Sequence, residues 1–442
     1  MAKNVLSHGN VVNLATQRQE LKALRGGGST PLAGCVGSLI KNIVGSGVLA
    51  LAGAVAAFSD EPAMIYPAIG IALVAGIMSA YCFALVGRTC AIAGAKTYRE
   101  AWAKTVGDST AWLPAATCTF QTLAASVCYS IIIGDLSRDL AATAGVRGVM
   151  GDRTTTLTLT MASVVLPLCM LRSFGFLQYT SLLGITGTAY TGFFMLLRYF
   201  QGAYLPPHGA FSKAVAQPPV FSKKGTSAIK ALILVSTLTT NYLAHYNAPK
   251  FLTELENPTT ARFNLLTYVS FLGAFVLSVA FMASGYLTFG GAAQGLILNN
   301  YAASDTLATF SRVGIAASII FGFPLTFVGF RDNFLELIGL NQPSQGLKDA
   351  LTIGGIIALT GVAMVVRDLG VVVSFFGALL GSAVIYVYPS IMFLAALKQG
   401  KKDVTVSALE LYAQYGLIGA GTGLGALGAI VVILKTYTNI LK

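Results

Sequence analysis

The run SLIKNIVGSGVLALAG (Ser38–Gly53) holds the first groups able to do chemistry in an otherwise apolar stretch. Lys41 brings a cation into it, and Gly45-Ser46-Gly47 follows one helical turn later. A charge at the middle of a bilayer costs at least about 2.5–3.5 kcal/mol on insertion scales, so it must face a cavity or a partner. Two glycines around a serine each weaken a helix by about 1 kcal/mol relative to alanine. Unwound backbone inside a membrane is tolerated only where it lines a polar cavity or is buried in protein. Lysine and break are therefore read together as one binding site. The plainer alternative makes Gly45 and Gly47 packing glycines and has Lys41 snorkel to an edge. Lys41 stands well inside its apolar run, too deep to snorkel easily.

A second run breaks the same rule. KALILVSTLTTNYLAHYNAPKFLTEL (Lys230–Leu255) carries Ser236, Thr237, Thr239, Thr240, Asn241, His245 and Asn247 ahead of Pro249, which is expected to break the helical ladder. No other apolar run is so polar. Interrupted helices at corresponding positions of two halves are the best sequence pointer to a transporter's binding site.

Other chemistries find little support. The three histidines, His8, His208 and His245, are far apart, and no HExxH or GxSxG pattern occurs. The six cysteines, Cys35, Cys82, Cys90, Cys118, Cys128 and Cys169, lie in or beside apolar runs without metal-ligand spacing. They read as small hydrophobes. No catalytic residues, no metal and no cofactor are expected, and a channel would want polar residues repeated on more runs than two.

The elements that must position these residues follow from composition. Of 442 residues 55% are hydrophobic and 10% charged, with a mean hydropathy of +0.71. Soluble domains carry about 25% charged residues, so lipid is the main solvent here. The net charge of +12 is spread over the connections between apolar runs, without the aromatic interleaving that binds nucleic acid. A span needs about 20 apolar residues. Eleven candidates meet this: Pro31–Phe58, Pro62–Gly87, Ala111–Gly134, Thr154–Leu171, Ser173–Leu197, Ala231–Pro249, Phe263–Gly290, Thr306–Phe330, Ala350–Val366, Leu369–Leu397 and Leu411–Leu434. The ninth, short and Gly-rich, is the weakest. The runs are continuous rather than alternating, which excludes a closed barrel. The predicted fold class is an all-α integral membrane bundle. Residues 1–30 read as a disordered cytosolic arm, with GGGST (Gly26–Thr30) a flexible link and no secretory signal. With the N-terminus in the cytosol, the cytosolic connections hold the larger share of Lys and Arg.

Several separated motifs give the chain a likeness. IKNIVGSGVLAL, TYREAWAKTVG (Thr97–Gly107), YSIIIGDLS (Tyr129–Ser137), HYNAPKFLTELENPTTARF (His245–Phe263), SGYLTFG (Ser284–Gly290) and GALLGSAVIYVYP (Gly377–Pro389) occur in order from about Pro31 to Leu397. In these the chain resembles the amino acid/auxin permease family of the amino acid–polyamine–organocation superfamily, with its LeuT-like fold. The resemblance implies two inverted five-span repeats, residues 31–200 and 229–397, with an extra span at 411–434. It implies secondary transport of amino acids, read as neutral, by a monomer in the plasma membrane or an endomembrane such as the vacuole. A substrate cradle would lie at the unwound parts of spans one and six. Gly45, Ser46 and Gly47 would offer main-chain N–H groups to the substrate carboxylate, favoured by the half-helix dipole. Ser236, Thr237, Thr240 and Asn241 would face its amino group or side chain.

One departure bears on coupling. In the family's sodium-coupled branch an asparagine ligates sodium where this chain has Lys41, with Asn42 one place along. A second ligand, a threonine shortly before the eighth-span proline, would fall near Ile320 or Gly322 in SIIFGF before Pro324. Burial disfavours the charged form of an amine, so Lys41 can exchange a proton between conformations. Proton symport is thus expected over sodium symport. A uniporter, an exchanger, or a non-transporting sensor on the same fold are the alternatives. The absence of a deep acidic residue argues weakly against cationic substrates. The topology is testable: tags at Lys402 and Lys442 should be accessible from opposite faces, the first together with the N-terminus. Both termini on one face would mean an even number of spans.

Overall fold

The structure, a computed structural model, describes residues 28–172, 180–215, 217–221, 228–340, 342–399 and 406–438. The expected arm thus lies outside it as far as residue 27. Thr30 is pinned rather than loose: it donates to Glu254 O (3.2 Å) and accepts from the Glu256 N–H (3.0 Å).

The named elements are helical and follow the expected runs. They are α1 (Leu32–Ile43), α2 (Leu51–Phe58), α3 (Ile65–Ala93), α4 (Tyr98–Thr105), α5 (Trp112–Thr143), α6 (Arg153–Thr160), α7 (Leu166–Cys169), α8 (Thr180–Phe200), α9 (Ala231–Asn241), α10 (Ala248–Glu254), α11 (Thr260–Phe289), α12 (Thr306–Leu337), α13 (Gln345–Val365), α14 (Leu369–Phe376), α15 (Tyr388–Lys398) and α16 (Ala408–Tyr437). Among the described residues seven helical stretches are long and apolar enough to cross a membrane, and the α1–α2 pair, bent by 45°, makes an eighth. The weak ninth run is one of them, a 21-residue helix. The fourth and tenth runs contain π-turns, at Met161–Val165 and at Gly377–Gly381 and Ala383–Val387. The tenth has a visible cause. A Cβ at Gly377 would stand 2.3 Å from Thr240 Oγ1, so the extra residue lets two backbones meet closely.

The third run was expected to end at Gly134, but α5 continues to Thr143. This carries Asp135 into the bundle and corrects the reading that no acidic residue lies deep. A buried carboxylate survives when paired and hydrogen-bonded. Asp135, 5% exposed, meets Arg153 of α6, which also donates to Ala363 O of α13 (2.7 Å). Asn299 Nδ2 donates to the other carboxylate oxygen at 2.7 Å.

Asn299 belongs to the loop between α11 and α12, and buried charge holds that loop at both ends. Arg312 of α12, 1% exposed, donates to Leu298 O (3.0 Å), Tyr301 O (2.6 Å) and Ala302 O (3.4 Å) and lies 3.3 Å from Asp139. Arg198 of α8 and Tyr204 donate to Asp305, the N-cap of α12. Burial works to raise the Asp305 carboxyl, but the hydrogen bonds from Arg198 and Tyr204 outweigh it and hold the group below the usual carboxylate range. Asp139 keeps Arg138 at 2.7 Å, so losing Arg312 costs chiefly its charged hydrogen bonds to the loop carbonyls, roughly 1.5–3 kcal/mol each. Arg312→Met should therefore lower the temperature at which the detergent-solubilised protein loses its monodisperse profile, and expose the loop to protease. Wild-type behaviour in both assays would remove this clamp from the stability account.

Candidate functional site

The first run breaks where its glycines stand. α1 ends at Ile43, the Val44 N–H reaches back to Ile40 O, and a 3₁₀ turn, Ser46–Ala50, restarts the chain at a new angle. The first N–H groups of such a turn have no partner in its own ladder. The two glycines do different work. A Cβ at Gly45 would meet nothing within 4 Å, and the residue is exposed. A Cβ at Gly47 would lie 3.2 Å from Asn241 Cα and 3.3 Å from its N. Gly47 is thus the point where the first run touches the end of α9, and Gly45 opens onto free space beside it.

The sixth run breaks at Tyr242–Ala244, ahead of the proline rather than at it. The chain resumes in a 3₁₀ turn, His245–Asn247, and Pro249 sits in the first turn of α10, where its missing N–H costs nothing. The main-chain N–H groups of Tyr242, Leu243 and Asn247 bond locally, to Leu238 O, Thr240 O and Ala244 O, and side chains of the break anchor it to its neighbours. His245, fully buried, pairs through Nε2 with Ser79 O of α3 (2.9 Å). The Tyr242 hydroxyl donates to Ala72 O (3.2 Å). Asn247 Nδ2 donates to Asn42 Oδ1 (3.1 Å), joining the two breaks.

The expected cradle residues separate. Asn241 is at the break: its Nδ2 donates to Ser278 Oγ of α11 (2.8 Å), while its Oδ1 is buried without a partner. Ser236 and Thr240 turn toward the tenth run instead. The Ser236 hydroxyl donates to Leu232 O, and it lies 2.6 Å from where a Cβ at Gly428 would stand. Thr240 Oγ1 donates to Val373 O of α14 (2.7 Å). Hydroxyls one turn apart on α9 share a face, and that face is taken up by α14 and α16. Thr237 lines a different space, a cavity of about 510 Å³ bordered by Gly53, Asp135, Gln294, Asn299, Asp368 and Lys435.

Lys41 is half-buried on α1 and makes no hydrogen bond or ion pair among the described residues. Its head lies where α8 meets α12: a Cβ at Gly184 would be 3.0 Å from Lys41 Cε, 3.4 Å from its Nζ and 2.8 Å from Ser318 Oγ. The hydroxyl beside the lysine is therefore Ser318, two residues before the position where one was sought. Ser38 and Gly45 are exposed along the same side of the first run.

Sequence reading missed two phenols inside motifs it had quoted. They are Tyr246, in the sixth break, and Tyr129 of α5, whose ring lies 6.4 Å from that of Phe323 of α12. Both tyrosines sit in apolar runs where an aromatic residue is commonplace. Among the described residues no group of His, Cys, Asp and Glu could hold a metal, and all six cysteines are free.

Comparison with known proteins agrees with this architecture. The family model described as transmembrane amino acid transporter protein matches residues 29–434. The "Putative sodium-coupled neutral amino acid transporter 11" of Danio rerio is 27% identical over 372 residues, covering 83% of this chain and 80% of that protein. "Vacuolar amino acid transporter 5" of Schizosaccharomyces pombe is 21% identical over 338 residues, 74% of this chain and 76% of its own length. Among solved structures, the inward facing conformation of Mhp1 superposes with a TM-score of 0.57 at 11% identity, covering 92% of this chain and 89% of that one. A substrate-bound, outward-open Na+-coupled sialic acid symporter gives 0.50 at 13%, covering 95% and 94%. At these identities the structures establish a shared fold of LeuT type. With two broken helices meeting at its centre and the family model running from residue 29 to 434, the chain belongs to the transmembrane amino acid transporter family, whose relatives and fold are those of transporters and not of enzymes.

Proposed function

We propose that this transporter moves neutral amino acids by alternating access, that its substrate cradle is the meeting point of the two breaks, and that a proton rather than sodium drives it. The contact of Gly47 with Asn241, beside the open backbone at Gly45, carries the reading of the cradle. Main-chain N–H groups of Ser46 and Gly47 would take the substrate carboxylate, joined by that of Gly45 once it leaves Ile43 O (2.9 Å), and Asn241 Oδ1, a buried acceptor without a partner among the described residues, would take its ammonium. Thr237 would line the approach, and Ser236 and Thr240 would brace α9 against α14. The exposed residues along α1, Ser38 and Gly45, give this cradle access from the end where α1 begins. On the opposite side α2 meets the loop before α12, since a Cβ at Gly53 would stand 2.5 Å from Gln294 O, and both residues border the cavity that Thr237 lines, which would serve as the approach in the other half of the cycle.

The breaks in the first and sixth runs, five runs apart, support the reading of two inverted repeats with an added eleventh span. The N-terminus is then cytosolic and the molecule works as a monomer, in the plasma membrane or an endomembrane. Coupling rests on Lys41. The relatives include proteins named sodium-coupled and one named vacuolar, and a fixed ammonium at the α1–α8–α12 junction would repel sodium there. Asn42, bonded to Asn247, would transmit its state to the sixth run. A sensor on the same fold is the second reading, since it could use the same cradle without transport.

Two measurements test this. Gly47→Val should abolish uptake into proteoliposomes while the protein still inserts and stays monodisperse, because a branched side chain would force the Asn241 backbone away. Wild-type uptake would remove this segment from the site, and absence of uptake by the unmodified protein would favour the sensor. In the second, each unit of imposed pH gradient should support up to about tenfold accumulation per proton, since 1.4 kcal/mol is a factor of ten. Lys41→Ala should lose that dependence and keep exchange. Concentrative uptake driven by a sodium gradient alone would refute proton coupling.

A further inference from the structure

Helices α8 and α12 run antiparallel along a seam of small and polar residues. Gly187 faces Gly314, with a Cβ at the first only 3.1 Å from the carbonyl oxygen of the second. One turn on, Thr191 Oγ1 and Ser311 Oγ share a hydrogen bond of 2.6 Å. Further along, Arg198 pairs with Asp305 at 2.6 Å. In the other direction the next facing pair is Gly184 and Ser318, and here the seam admits a third element. The Lys41 side chain of α1 reaches this point, its Cε 3.0 Å and Nζ 3.4 Å from the Gly184 Cβ position and Ser318 Oγ 2.8 Å from it.

We propose that Gly184 and Ser318 form the seat of the Lys41 ammonium, Gly184 by leaving room for its last methylenes and Ser318 by supplying the hydroxyl that receives it. The inference rests on the reading of Lys41 given above and makes the two residues positioning residues for it. Physical reasons favour this pair. No carboxylate of α1, α8 or α12 forms an ion pair with Lys41, so its head needs neutral acceptors. A hydroxyl bordering the same point is one, directly or through a water. A methyl group at position 184 would fall 2.8 Å from the Ser318 hydroxyl and 3.0 Å from Lys41 Cε, so these side chains must shift from their observed positions. Seated, the ammonium ties the broken first run to the α8–α12 pair. Unseated, it frees α1 to move.

The test reads the seat without relying on coupling. In the purified full-length protein, modification of Lys41 by an amine-reactive reagent is followed by mass spectrometry, beside uptake under an imposed pH gradient. Gly184→Ser should raise the labelling rate of Lys41 several-fold and blunt the pH dependence of uptake. The double variant Gly184→Ser/Ser318→Gly, which moves the hydroxyl across the seam and keeps one glycine, should return both toward wild type. Should Gly184→Ser fail to fold, Ser318→Gly adds no atoms and should itself raise labelling. Unchanged labelling in a folded Gly184→Ser or Ser318→Gly variant would overturn the seat. Raised labelling with rescue in the double variant, but pH-driven uptake untouched, would keep the seat and discard Lys41 as the coupling group.

Discussion

A backbone that leaves the helical ladder within a membrane exposes N–H and C=O groups that hydrocarbon cannot satisfy. This chain does so twice near its centre, and much of the surrounding packing answers that one constraint. The sixth break is held by His245 on Ser79 O and by Tyr242 on Ala72 O, both groups of α3. It is tied to the first break by the Asn247–Asn42 bond. Among the described residues what stays open includes the backbone beside Gly45, where a side chain would meet empty space, the Oδ1 of Asn241 and the Nδ1 of His245. Gly47 and Asn241 belong to opposite halves of the chain and meet only in the fold.

The same solvent governs the charges. Asp135 with Arg153, Asp139 with Arg312 and Asp305 with Arg198 are buried or nearly so, and each arginine places further hydrogen bonds on main-chain or side-chain oxygens. Such pairs add little to stability over apolar packing, but they are intolerant of separation. They fasten the loop before α12, which α2 meets, to α5, α6 and α8. Lys41 differs from them all in lacking a partner among the described residues.

Close approach at glycine gives this architecture its geometry. Gly47 on Asn241, Gly53 on Gln294, Gly187 on Gly314 and Gly377 on Ser236 and Thr240 are contacts where a methyl group would collide with the facing residue. Helices in lipid gain no hydrophobic drive from one another, so backbones brought near by small residues supply much of the association. Gly421, Gly425 and Gly428 of α16 do the same against the tenth run, facing Tyr386, Ser382 and Ala378, so these three pack within the bundle. The price of this design is sensitivity: a single added carbon at Gly53 or Gly377 must displace facing backbone, and at Gly47 or Gly187 the neighbour must give by a few tenths of an ångström.

Sequence alone determined the solvent, the helical class and the two places where the ladder fails. These follow from local composition: hydrophobic runs of membrane length, a lone lysine, a Gly-Ser-Gly triplet and one unusually polar run. It also placed Pro249 near the second break, though for the wrong reason, because proline at a helix start is harmless while the ladder failed five to seven residues earlier, at Tyr242–Ala244. Tertiary structure alone decided which polar groups share a site. Ser236, Thr237, Thr240 and Asn241 are indistinguishable on a list of polar residues, yet a helix turns each by 100°, and only the neighbours settle that Asn241 meets Gly47 while Ser236 and Thr240 meet α14 and α16. Asp135 looked like a run-end residue until Arg153 and Asn299, distant in sequence, closed around it. Gly184 and Ser318 carried no signal at all, since a glycine and a serine in apolar helices are ordinary until a lysine from another helix is found lying beside them.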